Sequence, residues 1–317
     1  MTVTTAANAT AIQASSAGLK RRRVYVLPYL LLLPTVILII SFTVWPTISA
    51  AIQSTYRVIG AQRIPQFVGL SNYTDLFNPD VSIGQVFPQV LFNTLLFAVV
   101  TVSLSVLLAF VLAVLLNQKL KGMAFFRFAF FYPVLMPMIG AASMFAFIYA
   151  DQIGLANVIL GSLHLPTPKW IGSDLTIIAV MIVVVWKQVG FYMIIYLAGL
   201  QNLPDDVYEA ARLDGARWWQ EIRNITWPML SSTTLFVVTS AVANSFQTVD
   251  QLYALGQGEP GDKSNLLLYL IYQRYTDPHN TGYVNAITVI LLAILLTFTV
   301  MNFVFAERHV YYASDSD

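Results

Sequence analysis

The chain has 317 residues, 57% of them apolar and only 10% charged, with a mean hydropathy of +0.67. Soluble domains carry roughly 45–50% apolar and about 25% charged residues, so a water-soluble globule is excluded. A net charge of +1 excludes a global basic surface for nucleic acid, the lack of cysteine excludes disulfides and thiolate catalysis, and the three histidines share no helix-spaced pair for a metal.

Residues 1–23 open the chain as a Thr-, Ala- and Ser-rich tail, uncharged until Lys20, Arg21, Arg22 and Arg23. With no charge and no apolar period in its first 19 residues, the tail is expected to be disordered. Six apolar runs follow, at about 24–46, 90–116, 125–150, 175–200, 229–251 and 283–305. Each suits the roughly 20 helical residues that cross about 30 Å of hydrocarbon. The first run is too long for the apolar core of a signal peptide and leads into further spans, so it reads as a retained helix. Pro28, Pro34, Pro133 and Pro137 lie inside spans, where neighbouring helices can satisfy the freed backbone groups. Segments 56–89, 151–174 and 252–282 are long, punctuated by Pro and Gly, and read as extracytoplasmic caps rather than independent domains. Residues 307–317 close the chain as a second tail. With the N-terminus inside, eleven Lys and Arg fall in cytoplasmic segments and five outside. That bias places both termini in the cytoplasm. The fold class is therefore an all-α polytopic membrane protein with six transmembrane helices within 24–306.

The segment 203–228, between the fourth and fifth runs, is too structured for a linker. Pro204 suits a first helical position, and Asp205 and Asp206 complement the positive end of the helix dipole. Glu209, Ala210, Ala211, Arg212 and Leu213 are strong helix formers, and Gly215 can turn the chain at the helix end. A second helix is expected next, with Trp218, Ile222 and Ile225 on one face and Arg217 paired to Glu221 one turn on. Pro228 opens the fifth span. Two readings of this pattern stand side by side. It is either an interfacial re-entry device without a partner or a projecting acidic knob for a groove on another protein.

Polarity inside the spans marks a second set of residues. Lys187 is the thirteenth residue of the 175–200 span, about 19 Å from either membrane face at 1.5 Å per residue. A lysine stem cannot snorkel so far, so its ammonium needs water, a carboxylate, a backbone carbonyl or a solute. Trp186, Gln188 and Tyr192 surround it in sequence. Asn244, Gln247 and Asp250 recur at offsets of three and are expected on one face of the fifth span. Any single Asn or Gln has the simpler reading of an interhelical hydrogen bond. A secondary transporter would need intramembrane carboxylates for ion coupling, and Asp250 is the sole one inside an apolar run. A membrane scaffold would need no polar pathway at all.

Glu209-Ala210-Ala211, Asp214-Gly215-Ala216, Ile225 and Pro228-Met229-Leu230 together resemble the EAA loop of permease subunits in binding-protein-dependent ABC importers of the carbohydrate-uptake type. Ile222 stands where that family usually has Phe. Trp186-Lys187-Gln188 through Pro204 is similar to the family's lead-in to the loop, and Phe246 through Asp250, Gly256 through Gly261, and Tyr272 are similar to the stretch after the fifth span. The glycine turn departs from the family's Gly-Gly-Gly-Pro. The likeness covers roughly 24–312, and residues 266–273 and 305–311 are most similar to the A-type permease of glycerol-3-phosphate and glycerophosphodiester importers. Maltose and trehalose permeases share most of these features. The resemblance implies a type I importer permease in a bacterial plasma membrane, forming half of a pathway for a sugar or sugar-phosphate-like solute, with glycerol-3-phosphate or a glycerophosphodiester favoured and a neutral sugar such as trehalose or maltose as the alternative. It implies a second related permease, two ATPase subunits and an extracytoplasmic solute-binding protein as partners, and no nucleic acid. No phosphate-binding loop of the form G-x-x-x-x-G-K-[ST] is present. The chain is therefore not expected to be an enzyme or to bind a cofactor or metal, and ATP and magnesium are expected on the ATPase subunits. Glu209, Ala210, Ala211, Asp214 and Gly215 are implied to couple to the ATPase. Trp186, Lys187, Gln188, Tyr192, Asn244, Gln247 and Asp250 are the candidates for the solute pathway.

Overall fold

A computed structural model describes residues 28–59, 64–118, 121–247, 249–256 and 261–307. The tail at 1–23, the start of the first span, the middle of the Gly256–Gly261 turn and residues 308–317 lie outside the described residues. The structure falls into two units, divided between Gln53 and Ser54.

The first unit contains helix α1, Pro28–Gln53. Its turn Ile40–Val44 is π-helical, and the Trp45 N–H reaches back five residues to the Ile40 carbonyl. Pro46 comes next. Proline has no N–H, and its ring crowds the carbonyl four residues earlier, so a widened turn ahead of it relieves the helix.

The second unit begins with a hairpin, β1 (Tyr56–Ile59) and β2 (Ile64–Phe67), in which Tyr56 faces Phe67 and Ile59 faces Ile64. The short helix α2 (Ser71–Asp75) follows. Helix α3 (Ser82–Leu116) is 35 residues long and so about 52 Å at 1.5 Å per residue. It begins eight residues ahead of the expected span and carries Pro88 without ending. Helices α4 (Met123–Phe131) and α5 (Met138–Ile148) are joined through the 3₁₀ turn Tyr132–Leu135 and bend by 102°. One span was expected over 125–150; the chain instead turns a corner. Met136 and Pro137 are both extended, with ψ of 140°, as expected for a residue before proline and a proline with no N–H to give.

Helix α6 (Leu155–Ser162) precedes α7 (Thr176–Gln201). Then come α8 (Asp205–Leu213), α9 (Trp218–Met229) and α10 (Ser231–Phe246), the last two bent by 70°. Helices α11 (Asp250–Leu255), α12 (Leu267–Arg274) and α13 (Thr281–Glu307) complete the unit. Among the described residues, four helices are long and apolar enough to cross a membrane, and six segments are if each bent pair is one span. The architecture is all-α and polytopic, with the two-stranded hairpin as a minor addition.

Helices α3 and α7 form the centre. Ala109, Phe110 and Ala113 of α3 pack against Tyr192, Tyr196 and Leu200 of α7, and Phe97 packs with Val180, Val183 and Val184. Small and β-branched residues at this seam let two long apolar helices approach closely. Phe87 and Val90 of α3 meet Ala286, Ile287 and Leu291 of α13. Polar ties fix the ends. The Arg127 guanidinium caps the Leu116 carbonyl at 2.7 and 3.2 Å, holding the C-terminus of α3. At the other end, Asn93 Nδ2 donates to the carbonyls of Asp262, Lys263 and Asn265. Beside the hairpin, Arg57 Nη2 sits 2.6 Å from Asp75 Oδ2, its Nε donates to Asn72 at 2.9 Å, and its guanidinium lies 4.7 Å over the Tyr283 ring. Tyr283 in turn donates to Asp75 at 3.1 Å, which joins the hairpin and α2 to the start of α13.

Candidate functional site

Helix α8 is built from local signals. Pro204 is its N-cap, one residue outside the helix rather than its first residue. Asp205 and Asp206 occupy the first turn and Arg212 the last, the arrangement that complements the helix dipole. At the C-terminus, Gly215 adopts φ +81°. The Ala216 N–H reaches the Ala211 carbonyl at 2.9 Å and the Gly215 N–H reaches that of Arg212 at 3.1 Å. This is a Schellman closure, and it requires a left-handed residue at position 215. A Cβ there would meet nothing within 4 Å, so glycine is demanded by the backbone and not by crowding. Glu209, Ala210 and Asp214 are exposed and Ala211 is half-buried.

Helix α9 departs from its sequence reading in two respects. Arg217 is not paired to Glu221. It lies outside the helix as the N-cap, with ψ 155°, and its N–H donates to Gln220 Oε1 at 2.7 Å. Glu221 instead turns to Arg212 of α8, at 3.0 and 3.5 Å. The Glu221 side chain is 9% exposed and that of Arg212 66%. The hydrogen bond and charge of Glu221 raise Arg212 above its ordinary pKa, so the guanidinium stays charged. Trp218 and Ile222 keep the expected i, i+4 register, the Ile222 N–H reaching the Trp218 carbonyl, but the register changes before Ile225. A π-helical turn, Ile222–Thr226, in which the Trp227 N–H bonds the Ile222 carbonyl just before Pro228, moves Ile225 out of line with the two earlier residues. Its extra residue shifts the register. A second tie between the two helices joins Tyr208 Oη to Thr226 Oγ1 at 3.0 Å. Beneath the ties lies a cavity of about 530 Å³, lined by Tyr208, Glu209, Arg212 and Glu221 together with Asn117 and Leu200 at the ends of α3 and α7. Both ties escaped the sequence reading. The available signal was an acid and a base on opposite sides of a glycine turn.

The polar residues of the spans divide into groups. Lys187 Nζ donates to the Val134 carbonyl at 3.2 Å. That carbonyl would bond residue 138 in a continuous helix, but the α4–α5 corner carries Met138 away. Lys187 is thus a carbonyl-capped lysine, one of the alternatives its position allowed. One turn further along α7, Gly190 permits a close approach: a Cβ there would lie 2.0 Å from the Phe130 carbonyl oxygen. Trp186 packs edge-on against Phe145 of α5, centroids 5.1 Å apart. Gln188, Tyr192 and Asn244 do come together. Tyr192 donates to Gln188 Oε1 at 2.6 Å, and Asn244 Nδ2 donates to the Tyr192 oxygen at 3.0 Å. Tyr192 is fully buried while Asn244 is exposed, so the chain of bonds leads from the core to a surface. Gln247 and Asp250 do not join it. Helix α10 ends at Phe246, Gln247 is its C-cap, and Asp250 opens α11, where an acidic residue complements the new helix dipole. The expected single face requires a continuous helix that is not there.

A family model described as "Binding-protein-dependent transport system inner membrane component" matches residues 105–310. The arabinooligosaccharides transport system permease protein AraP of Bacillus subtilis is 33% identical over 87% of this chain and 87% of that protein. The sn-glycerol-3-phosphate transport system permease protein UgpA of Agrobacterium fabrum is 30% identical over 90% of this chain and 97% of its own length. In fold, the chain matches a subunit of a bacterial ABC transporter involved in the import of the acidic polysaccharide alginate. That match has a TM-score of 0.77 at 20% identity and covers 91% of this chain and 96% of the other.

Proposed function

Because the chain belongs to the family of inner membrane components of binding-protein-dependent transport systems, we propose that it is a permease subunit of an ATP-driven importer. It forms half of the pathway for a sugar or sugar-phosphate-like solute. The observation that carries this reading is α8, an exposed helix with an acidic start and a left-handed glycine end, standing beyond the ends of α3 and α7. A projecting helix of this kind fits a groove on another protein. Glu209, Ala210, Ala211, Asp214 and Gly215 meet an ATPase subunit, which binds the ATP and magnesium. A second, related permease completes the pathway, and an extracytoplasmic binding protein delivers the solute. The distribution of Lys and Arg supports cytoplasmic termini.

Within the pathway, Gln188, Tyr192 and Asn244 offer uncharged donors and acceptors, which suit the hydroxyls of a sugar. The engagement of Lys187 by a backbone carbonyl weighs against a dedicated cation for a phosphate. A neutral sugar or oligosaccharide is therefore the first reading. Glycerol-3-phosphate or a glycerophosphodiester is the second, supported by the resemblance at 266–273 and 305–311 and by the UgpA relative.

Calorimetry on the partner binding protein separates them. Arabinooligosaccharides, maltose, trehalose and glycerol-3-phosphate are titrated in turn, and the bound solute is followed into cells with and without this chain. Uptake that persists in cells lacking the chain would refute the permease role. Orientation is tested with single cysteines at Ser16 and Asn78 and an impermeant thiol reagent on intact cells. Only position 78 should label; labelling at 16 reverses the topology.

A further inference from the structure

We propose that Tyr208 and Arg212 of α8 and Thr226 and Glu221 of α9 form a two-point clasp. It makes the two helices one rigid lever, so that a displacement of α8 arrives undiminished at the bend between α9 and α10. The proposal rests on reading α8 as the docking helix and assigns positioning roles to residues of the 203–228 segment that are not among those carrying the resemblance.

A glycine turn alone would not transmit a push. Nothing packs within 4 Å of where a side chain at 215 would begin, so no neighbouring group braces the turn. The brace comes from the flanking helices. Tyr208 and Arg212 are four residues apart, which stacks them on one face of α8 about 6 Å apart along its axis. Their partners, Glu221 and Thr226, are five residues apart, a spacing that an ordinary α-helix would place on different faces. The π-helical turn at Ile222–Thr226 brings them into line, and the Thr226 hydroxyl donates back to the Glu221 carbonyl at 3.2 Å. The widened turn before Pro228 therefore serves a second purpose here, aligning the clasp. One contact between two helices leaves a pivot, whereas two contacts a turn apart remove it. The Glu221 carboxylate is largely out of water, so losing its partner leaves a buried acceptor unmatched, which favours the closed geometry.

Beyond the bend, Leu230 is 1% exposed and packs in the α3–α7 core. The lever thus ends on a seated pivot from which α10 starts, and α10 carries Asn244 of the polar chain.

The test uses the complete transporter in proteoliposomes: this chain, its partner permease, the ATPase subunits and the binding protein. The readout is solute imported per ATP hydrolysed. Glu221→Gln keeps the side-chain shape, and Tyr208→Phe removes the second point. Both should assemble and hydrolyse ATP. Each should import less solute per ATP, by about tenfold for Glu221→Gln, the scale of one charge-assisted hydrogen bond. The exchanged pair Arg212→Glu with Glu221→Arg should recover at least half of the loss. An unchanged ratio in the Glu221→Gln, Tyr208→Phe double variant overturns the clasp. Failure of both Glu221→Gln and the exchanged pair to assemble also overturns it, since the residues then serve folding alone. Gly215→Val separates the two levels of the argument. If it uncouples transport while the clasp variants do not, only the clasp is wrong; if it too transports normally, the docking reading of α8 is wrong.

Discussion

The two bent helix pairs are broken by different means. Between α4 and α5 the chain turns 102°, with Pro133 just before the break and Pro137 within it. The corner is seated against α7: Lys187 caps the freed Val134 carbonyl, Gly190 admits the backbone of Phe130, and Trp186 packs on Phe145. Between α9 and α10 the bend is 70°, and a π-helical turn with Pro228 precedes it. There the polar ties run outward to α8 and not into a neighbouring span. An intramembrane proline thus becomes a fixed corner where an adjacent helix supplies a donor and a close backbone contact. Where its polar partners belong to the loop, these contacts leave it untied to a neighbouring span, and in the proposed reading it is part of an arm.

The contrast can be broken first at the corner. In Gly190→Ala the new Cβ meets the backbone of Phe130 and Phe131, an overpacking expected to cost about 3 kcal/mol. A large drop in the apparent Tm of the purified chain should follow, and an unchanged Tm would show that the corner is not seated there. Lys187→Met, next in size, leaves the Val134 carbonyl uncapped at about 2 kcal/mol, and Lys187→Arg should recover most of it. If the Met variant were fully stable but failed on anionic solutes alone, Lys187 would instead serve the solute. At the arm, Gly215→Val should cost stability only about 1–2 kcal/mol of left-handed strain. Its mark is functional, a loss of ATP hydrolysis stimulated by the binding protein. Stimulation that survives would erase the distinction between arm and corner. The smallest effect is expected for Tyr192→Phe, which deletes the hydroxyl between Gln188 and Asn244 at about 1 kcal/mol. A raised KM for the solute with little change in Tm would mark that network as pathway, and a change in Tm alone would mark it as packing.

What the sequence made legible was set by local chemistry or by the bilayer. Apolar run length follows from membrane thickness, and α8 announces itself through Asp205, Asp206 and Gly215, whose effects need no tertiary partner. The corner was illegible because proline is ambiguous alone. Pro88 sits inside α3 without ending it, whereas Pro133 precedes a break and Pro137 lies within it; the difference is made by α7, some 50 residues downstream of the corner. Offsets of three linked Asn244 to Gln247 and Asp250 on the premise of one continuous helix, and its end at Phe246 removed the premise. Arg217 was paired to Glu221 by spacing, but only Arg212 faces that carboxylate, across a turn whose geometry spacing does not encode.

The Arg57–Asp75–Tyr283 contact bears on how the protein is made. Asp75 and Tyr283 lie 208 residues apart, so a ribosome delivers the hairpin and α2 long before α13 exists. Arg57 and Asp75 can pair at once, but the aromatic face that covers the guanidinium and the hydroxyl that joins Asp75 arrive only with the last long helix. A chain that ends before residue 283 lacks the aromatic face and the hydroxyl that complete this latch. The latch therefore cannot close until Tyr283 has been made, which ties the burial of the Arg57–Asp75 pair at the front of the unit to the arrival of α13.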